Sequence, residues 1–159
     1  NQTGPTALLV TRQGLPTLDR SVYPSASGLH QGAYTLWQSG EGSPDILLIA
    51  TGSEVELALN AAEKLAEEAV NVRVVSMPSC ELFEQQDGAY QESVLPDACD
   101  LRVAIEAGTS FGWERYVGRK GAMICKDDFG ASGPYTVLLE KFGFTVERVV
   151  DAAHNLLKG

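Results

Sequence analysis

The chain has 159 residues, 44% of them hydrophobic and 21% charged, which is enough apolar material for a folded domain with a real core. Twelve Lys and Arg against 21 Asp and Glu leave a formal net charge of −9, a sign that argues against nucleic acid or an anionic membrane surface as a general partner. No apolar run approaches the roughly 20 residues that span a bilayer. Three cysteines at wide spacing (Cys80, Cys99, Cys125) with no C-x-x-C make neither a disulfide framework nor a zinc site, and fit a reducing, cytoplasmic setting.

The first residue is not Met, and Thr6–Thr11 (Thr-Ala-Leu-Leu-Val-Thr) reads as a buried strand almost at once. A polar, turn-rich stretch from Gln13 to about Gly32 follows, long for a connection inside a domain and more typical of a linker. Residues 1–31 are therefore expected to close an upstream domain and lead out of it, and residues 32–159 to form the domain proper. Ala33–Trp37 predicts a short strand, and Asp45–Ala50 a continuous apolar strand of the kind buried on both faces of a parallel sheet.

Ser53 and Glu56 have the spacing of a capping box, and Val55, Ala58, Leu59, Ala62 and Ala66 continue as a helical stripe. Val72–Ser76 predicts the next strand. Glu81–Val94 predicts two helical pieces broken near Asp87-Gly88, and Leu101–Ala107 and Ala122–Cys125 predict strands on either side of a helix over Phe111–Val117. Pro134 and Gly143 bracket a further helix, and Thr145 caps a last one with Val146, Val149, Val150, Ala153, Leu156 and Leu157 on one face. This alternation predicts a three-layer α/β/α, Rossmann-like domain with an open, mostly parallel (mixed) sheet of about five strands.

Ligands in such sheets sit beyond the carboxyl ends of the strands. The residues there are Arg12-Gln13, Thr51-Gly52-Ser53, Met77-Pro78-Ser79, Glu106-Ala107-Gly108 and Lys126-Asp127-Asp128. Thr51-Gly52-Ser53 lacks both the G-x-G-x-x-G and the G-x-x-x-x-G-K-[ST] spacing, and Glu54 and Glu56 in the first turn would repel a phosphate. Arg12 is the best anion candidate, since its planar fork suits two phosphate oxygens at once; the alternative is a surface arginine at a domain edge. Glu106 is either an acid/base group or an interdomain ion-pair partner. His30 and His154 stand apart from any cysteine or carboxylate cluster, and no G-x-S-x-G elbow is present. Phe111, Trp113 and Tyr116 read equally as core or as an interdomain or subunit contact.

Several strings, taken in order, resemble the C-terminal part of transketolase. They are Gly4-Pro5-Thr6-Ala7-Leu8-Leu9-Val10-Thr11-Arg12-Gln13, Ile49-Ala50-Thr51-Gly52-Ser53-Glu54-Val55 and Val74-Val75-Ser76-Met77-Pro78-Ser79, followed by Glu92-Ser93-Val94-Leu95-Pro96, Ala104-Ile105-Glu106-Ala107-Gly108 and Phe142-Gly143-Phe144-Thr145-Val146. The resemblance implies a homodimeric enzyme of the pentose phosphate pathway, with thiamine diphosphate and Mg2+ or Ca2+, that moves a two-carbon ketol unit from a ketose phosphate to an aldose phosphate. It implies that residues 1–31 end the pyrimidine-binding domain and supply the linker, and that 32–159 are the C-terminal domain. Arg12 matches the family's sugar-phosphate arginine, with Thr11 in place of Ser and Gly14 where Asn is common. The cofactor, metal and catalytic residues of the family fall outside this chain, which alone is expected to be inactive. Deoxyxylulose-phosphate synthase, the β-subunit of a 2-oxoacid dehydrogenase and a non-catalytic dimerisation or small-ligand domain are the competing readings.

Overall fold

The computed structural model describes residues 4, 5 and 7–159. Five strands, β1 (Tyr34–Gln38), β2 (Ile46–Ala50), β3 (Val72–Ser76), β4 (Arg102–Glu106) and β5 (Ala122–Cys125), form one open sheet in the order β1-β3-β2-β4-β5. Pairings β3–β2, β2–β4 and β4–β5 are parallel, and β1 is an antiparallel edge on β3 with a bulge between Thr35 and Trp37. Six helices cover it: α1 (Glu54–Glu67), α2 (Cys80–Glu84), α3 (Gly88–Val94), α4 (Glu114–Val117), α5 (Tyr135–Phe142) and α6 (Val146–Lys158).

Side-chain alternation along the strands divides the core in two. Ile46, Leu48 and Ala50 of β2 face α1 and α6, while Leu47 and Ile49 face the layer of α2, α3 and α4. All five residues of β2 are buried, as a central strand between two helical layers requires. On α6, Val149 and Ala153 are buried against the sheet, with Val146, Val150 and Leu156 beside them.

The helix limits follow from local chemistry. The Asp87 carboxylate accepts from Tyr90 N–H at 2.8 Å and restarts the chain as α3 after the break that Asp87-Gly88 predicts. Gly143, at φ +77°, stops α5, and the Thr145 hydroxyl accepts from Arg148 N–H to start α6.

Four expectations are corrected. Thr6 lies outside the described residues, and Ala7–Thr11 belong to no strand, with Leu8, Leu9 and Val10 exposed; a strand exists only where a neighbour takes its backbone bonds, and no described residue does so. The Gln13–Gly32 stretch is not structureless, because the Ser25 hydroxyl accepts from Ser27 N–H and opens a 3-10 helix over Ala26–Gln31. The helix expected over Phe111–Val117 is confined to Glu114–Val117. Ser53 does not form the capping box: it is itself helical (φ −66°, ψ −26°), which turns its hydroxyl away from the backbone donors. No helix among the described residues is long and apolar enough to cross a membrane.

Candidate functional site

The chain leaves β2 into α1 on one face of the sheet and leaves β4 into α4 on the other. Adjacent strands whose exits diverge in this way leave a crevice at their carboxyl ends. Its floor is a tight turn: Gly52 takes φ +55°, and Thr51 C=O accepts from Glu54 N–H at 3.2 Å. Ser53 then donates its hydroxyl to Glu54 Oε1 at 2.7 Å, and Glu54 Oε2 accepts from Ala107 N–H, 3.3 Å away beyond β4. Glu54 is only 6% exposed. A carboxylate in the first helical turn is favoured by the free N–H groups there, so the place where a phosphate would bind is already held by an internal anion.

Glu106 ends β4 beside it, half-buried, with Oε1 accepting from Gly108 N–H at 2.8 Å. Burial pushes its carboxyl above the ordinary glutamate range; the Gly108 bond opposes that shift and the Glu54 charge adds to it. The folded state therefore holds this proton to higher pH than the unfolded chain, and stability falls as pH rises from the ordinary glutamate value through the raised one. Glu106→Gln keeps the acceptor for Gly108 and removes the penalty. The variant is expected to melt higher than the parent at pH 7 and equally at pH 4; a lower melting temperature at pH 7 would show that the charged form is stabilising.

Nothing at this edge is an activated nucleophile. Cys125, opposite Glu106 in the register, has its thiol pushed up to about 11 by burial and by the Glu106 charge. Burial also raises the thiols of Cys80 and Cys99, so all three stay protonated at neutral pH. Asp127 accepts from Ser110 N–H at 2.7 Å and from the hydroxyls of Thr109 and Ser110, tying the loops that follow β4 and β5; these bonds hold its carboxyl below the usual range. A cleft of about 410 Å³ opens beyond β2, β3 and β4 between Thr51, Ser79, Glu106 and Trp113. Arg115 on its rim is paired with Glu84, which also accepts from the Tyr116 hydroxyl at 2.7 Å.

The aromatic trio divides. Trp113 and Tyr116 are core residues in edge-to-face contact at 5.9 Å, and Phe111 is 87% exposed. His154 Nε2 lies 2.7 Å from the Glu68 carboxylate, joining α6 to the end of α1, and His30 sits in the 3-10 helix. Among the described residues no three His, Cys, Asp or Glu side chains converge as a metal ligand set.

Arg12 is exposed between two half-buried neighbours, Thr11 and Gln13. The Thr11 hydroxyl donates to the Gln13 amide oxygen, and Gln13 borders small cavities shared with Ser53 and Glu54 on one side and with Ala107 and Lys126 on the other. The arginine is therefore carried on a loop that lies against the carboxyl edge of the sheet, next to the crevice and not inside it.

Residues 32–145 match the family described as transketolase-like TK C-terminal domain. The chain belongs to the transketolase family. It is 49% identical to the transketolase of Aquifex aeolicus (strain VF5) over 148 residues, 93% of this chain and 21% of that protein. To transketolase 1 of Escherichia coli (strain K12) it is 50% identical over 156 residues, 98% of this chain and 23% of that protein. Among solved structures, the Pichia stipitis transketolase in complex with sedoheptulose 7-phosphate superposes with a TM-score of 0.81 at 34% identity, over 92% of this chain and 20% of that one. The chain thus spans between a fifth and a quarter of the length of these relatives.

Sequence spacing brought Glu106 and the Thr51–Ser53 turn to the carboxyl edge of the sheet, whereas it placed Arg12 at the end of a strand that the described residues do not form. It missed that Glu54 is a buried bridge, for which the only signal was a carboxylate directly after a strand-to-helix turn. Lys126, also expected at the strand ends, has its ammonium 4.8 Å from the centre of the Phe142 ring and 3.7 Å from the exposed Asp128 carboxylate.

Proposed function

We propose that this chain serves as the C-terminal part of a transketolase, with residues 1–31 as the end of a preceding domain plus linker and 32–159 as the C-terminal domain. The whole polypeptide transfers a two-carbon ketol unit from a ketose phosphate to an aldose phosphate, as a cytoplasmic homodimer. The observation that carries this reading is identity of 49–50% to transketolases across 93–98% of the chain.

Within that reading Arg12 is the chain's substrate contact. Its exposed guanidinium offers paired donors to a phosphate, and charge-assisted bonds of that kind are the strong class. The crevice itself is unsuited to the same anion, because Glu54 and Glu106 both face that end of the sheet.

Thiamine diphosphate and its divalent cation, which the family implies, do not fit the described residues. They offer no convergent metal ligand set, and the N-terminus of α1 is taken up by Glu54. This reading places the cofactor, and with it the ketol chemistry, on other parts of the polypeptide, and no step of the transfer is assigned to this chain.

Two measurements test the proposal. The purified chain with added thiamine diphosphate, Mg2+ and both sugar phosphates is expected to show no turnover in a coupled assay; a rate above the no-protein blank would overturn its role as a scaffold. In the full-length polypeptide, Arg12→Ala is expected to lower kcat/KM for phosphorylated donors by about 10- to 100-fold, the worth of one charged hydrogen-bond set, and to leave an unphosphorylated donor within about 2-fold. Equal losses on both donors would remove Arg12 from the phosphate site.

A further inference from the structure

Leu8, Leu9 and Val10 are 81%, 90% and 78% exposed, a contiguous run and not the single scattered apolar residues that are normal on a surface. Three residues on, Gln13 is half-buried and borders a cavity that Ala107, Lys126, Gly130 and Ala131 also line. The chain therefore enters the domain at the carboxyl edge of the sheet, close to the loop that follows β5. Three residues span at most about 10 Å. A body that buries Val10 must stand within that reach of the Gln13 cavity, and so beside this loop.

The loop is held at both ends and bare in the middle. At its root, Lys126 N–H donates to Gly108 C=O at 2.8 Å, and Asp127 accepts from Ser110 N–H at 2.7 Å. At its far end Pro134 leads into α5, its C=O accepting from Leu138 N–H at 3.1 Å. Between these anchors Phe129 is 98% exposed, the most exposed large apolar side chain among the described residues. A phenylalanine buries about 150–250 Å² when it packs, and one carried between fixed ends enters a pocket with little further ordering.

We propose that Phe129 docks the C-terminal domain onto the preceding domain of the same polypeptide, beside the segment Leu8–Val10. This rests on the reading of residues 1–31 as the end of that domain, and it adds the face that meets it. The relatives supply chain for such a body, since the matched region is only 21–23% of their length. The tether favours this occupant over a second copy, because only the body that takes up Leu8–Val10 is bound to stand here. Charge favours it too: two copies meeting at this loop would set one exposed Asp128 carboxylate against another.

The test places a photoreactive side chain at two positions of the full-length polypeptide: Phe129→p-benzoylphenylalanine, and a diazirine analogue of leucine in place of Leu9. Phe129 has almost no contact within its own domain, so the replacement leaves the core intact, and a thermal melt checks this. Packed side chains lie within about 4.5 Å, so irradiation is expected to join position 129 to residues that precede this chain, in a product of single-chain mass, roughly 5-fold or more above the dark sample. Position 9 is expected to give a product of the same kind. If position 9 links to the preceding residues while position 129 gives no product, or one confined to residues 4–159, Phe129 is not an anchor and the domain reading stands. A product of two-chain mass from position 129 assigns the face to a second copy and also overturns the docking. Failure of position 9 to reach the preceding residues overturns the reading beneath it.

Discussion

Arg102→Met is expected to cost the purified chain about 3 to 4 kcal/mol of stability, the sum of several buried carbonyls left with poorer partners. Arg102 opens β4, and its guanidinium has no carboxylate partner among the described ion pairs. Its donors go to backbone instead: Nε to Cys99 C=O at 2.8 Å, Nη1 to Tyr116 C=O at 2.9 Å, and Nη2 to Pro96 C=O at 2.9 Å and Leu95 C=O at 3.3 Å. One planar fork thus fastens the end of α3, the turn before β4 and the end of α4 to a central strand. Methionine keeps the apolar stem and deletes only the head, which isolates the hydrogen bonds from the packing. Lysine, a point charge on a flexible stem, is expected to recover only a minor part. Urea denaturation at pH 7 checks both, through a lower midpoint at unchanged slope. A loss below about 1 kcal/mol for Arg102→Met would show that water replaces the guanidinium at these carbonyls.

Arg102 also marks the boundary of what the sequence discloses. A side chain bonded to carbonyls leaves no partner residue to find, because every residue but its own side chain contributes the same group. The strands were legible for the opposite reason. Val72–Ser76 and Ala122–Cys125 match their observed limits residue for residue, and Asp45–Ala50 is one residue long, because period and run length are set by burial, which is written in side-chain type. The break at Asp87-Gly88 was legible because an aspartate's local bond to Tyr90 N–H is decided within four residues.

Ser53 shows where local chemistry loses. Its spacing to Glu56 satisfies a capping box, yet Ala107, far along the chain, offers Glu54 a backbone donor, and the hydroxyl turns to that carboxylate instead. Trp113 and Phe111 show the same limit. They are equally aromatic and two residues apart, and only the arrival of Phe83 from α2 and Tyr116 from α4 at one face of the sheet buries the first and leaves the second exposed. At the candidate site, spacing placed Arg12 at the end of a strand that the described residues do not form, and its function was not legible. Spacing alone leaves a surface arginine as good a reading, and the phosphate role enters through family resemblance.

Gly32→Ala is expected to destabilise the chain by about 3 kcal/mol or more, from two penalties that add. The first is conformational: Gly32 has φ +86°, where a Cβ costs roughly 1 to 2 kcal/mol. The second is steric. A Cβ there would lie 2.2 Å from Phe83 N and 2.4 Å from Ser79 C=O, both backbone atoms of the α2 start, and forcing a packed element aside costs about 1 to 3 kcal/mol. Backbone bonds hold the crossing from both sides: Gly32 N–H donates to Leu29 C=O at 3.1 Å and Gly32 C=O accepts from Ser79 N–H at 3.0 Å. Gly28→Ala is the control, since the three atoms nearest its Cβ all belong to the Tyr34 ring, the closest at 2.4 Å, and its φ is not positive; a clash with one side chain costs less to relieve than one with the backbone of a packed helix. Denaturation midpoints are expected to fall in the order Gly28→Ala above Gly32→Ala, with backbone amide shifts for Gly32→Ala concentrated in α2. Equal losses would mean that α2 moves as readily as one ring.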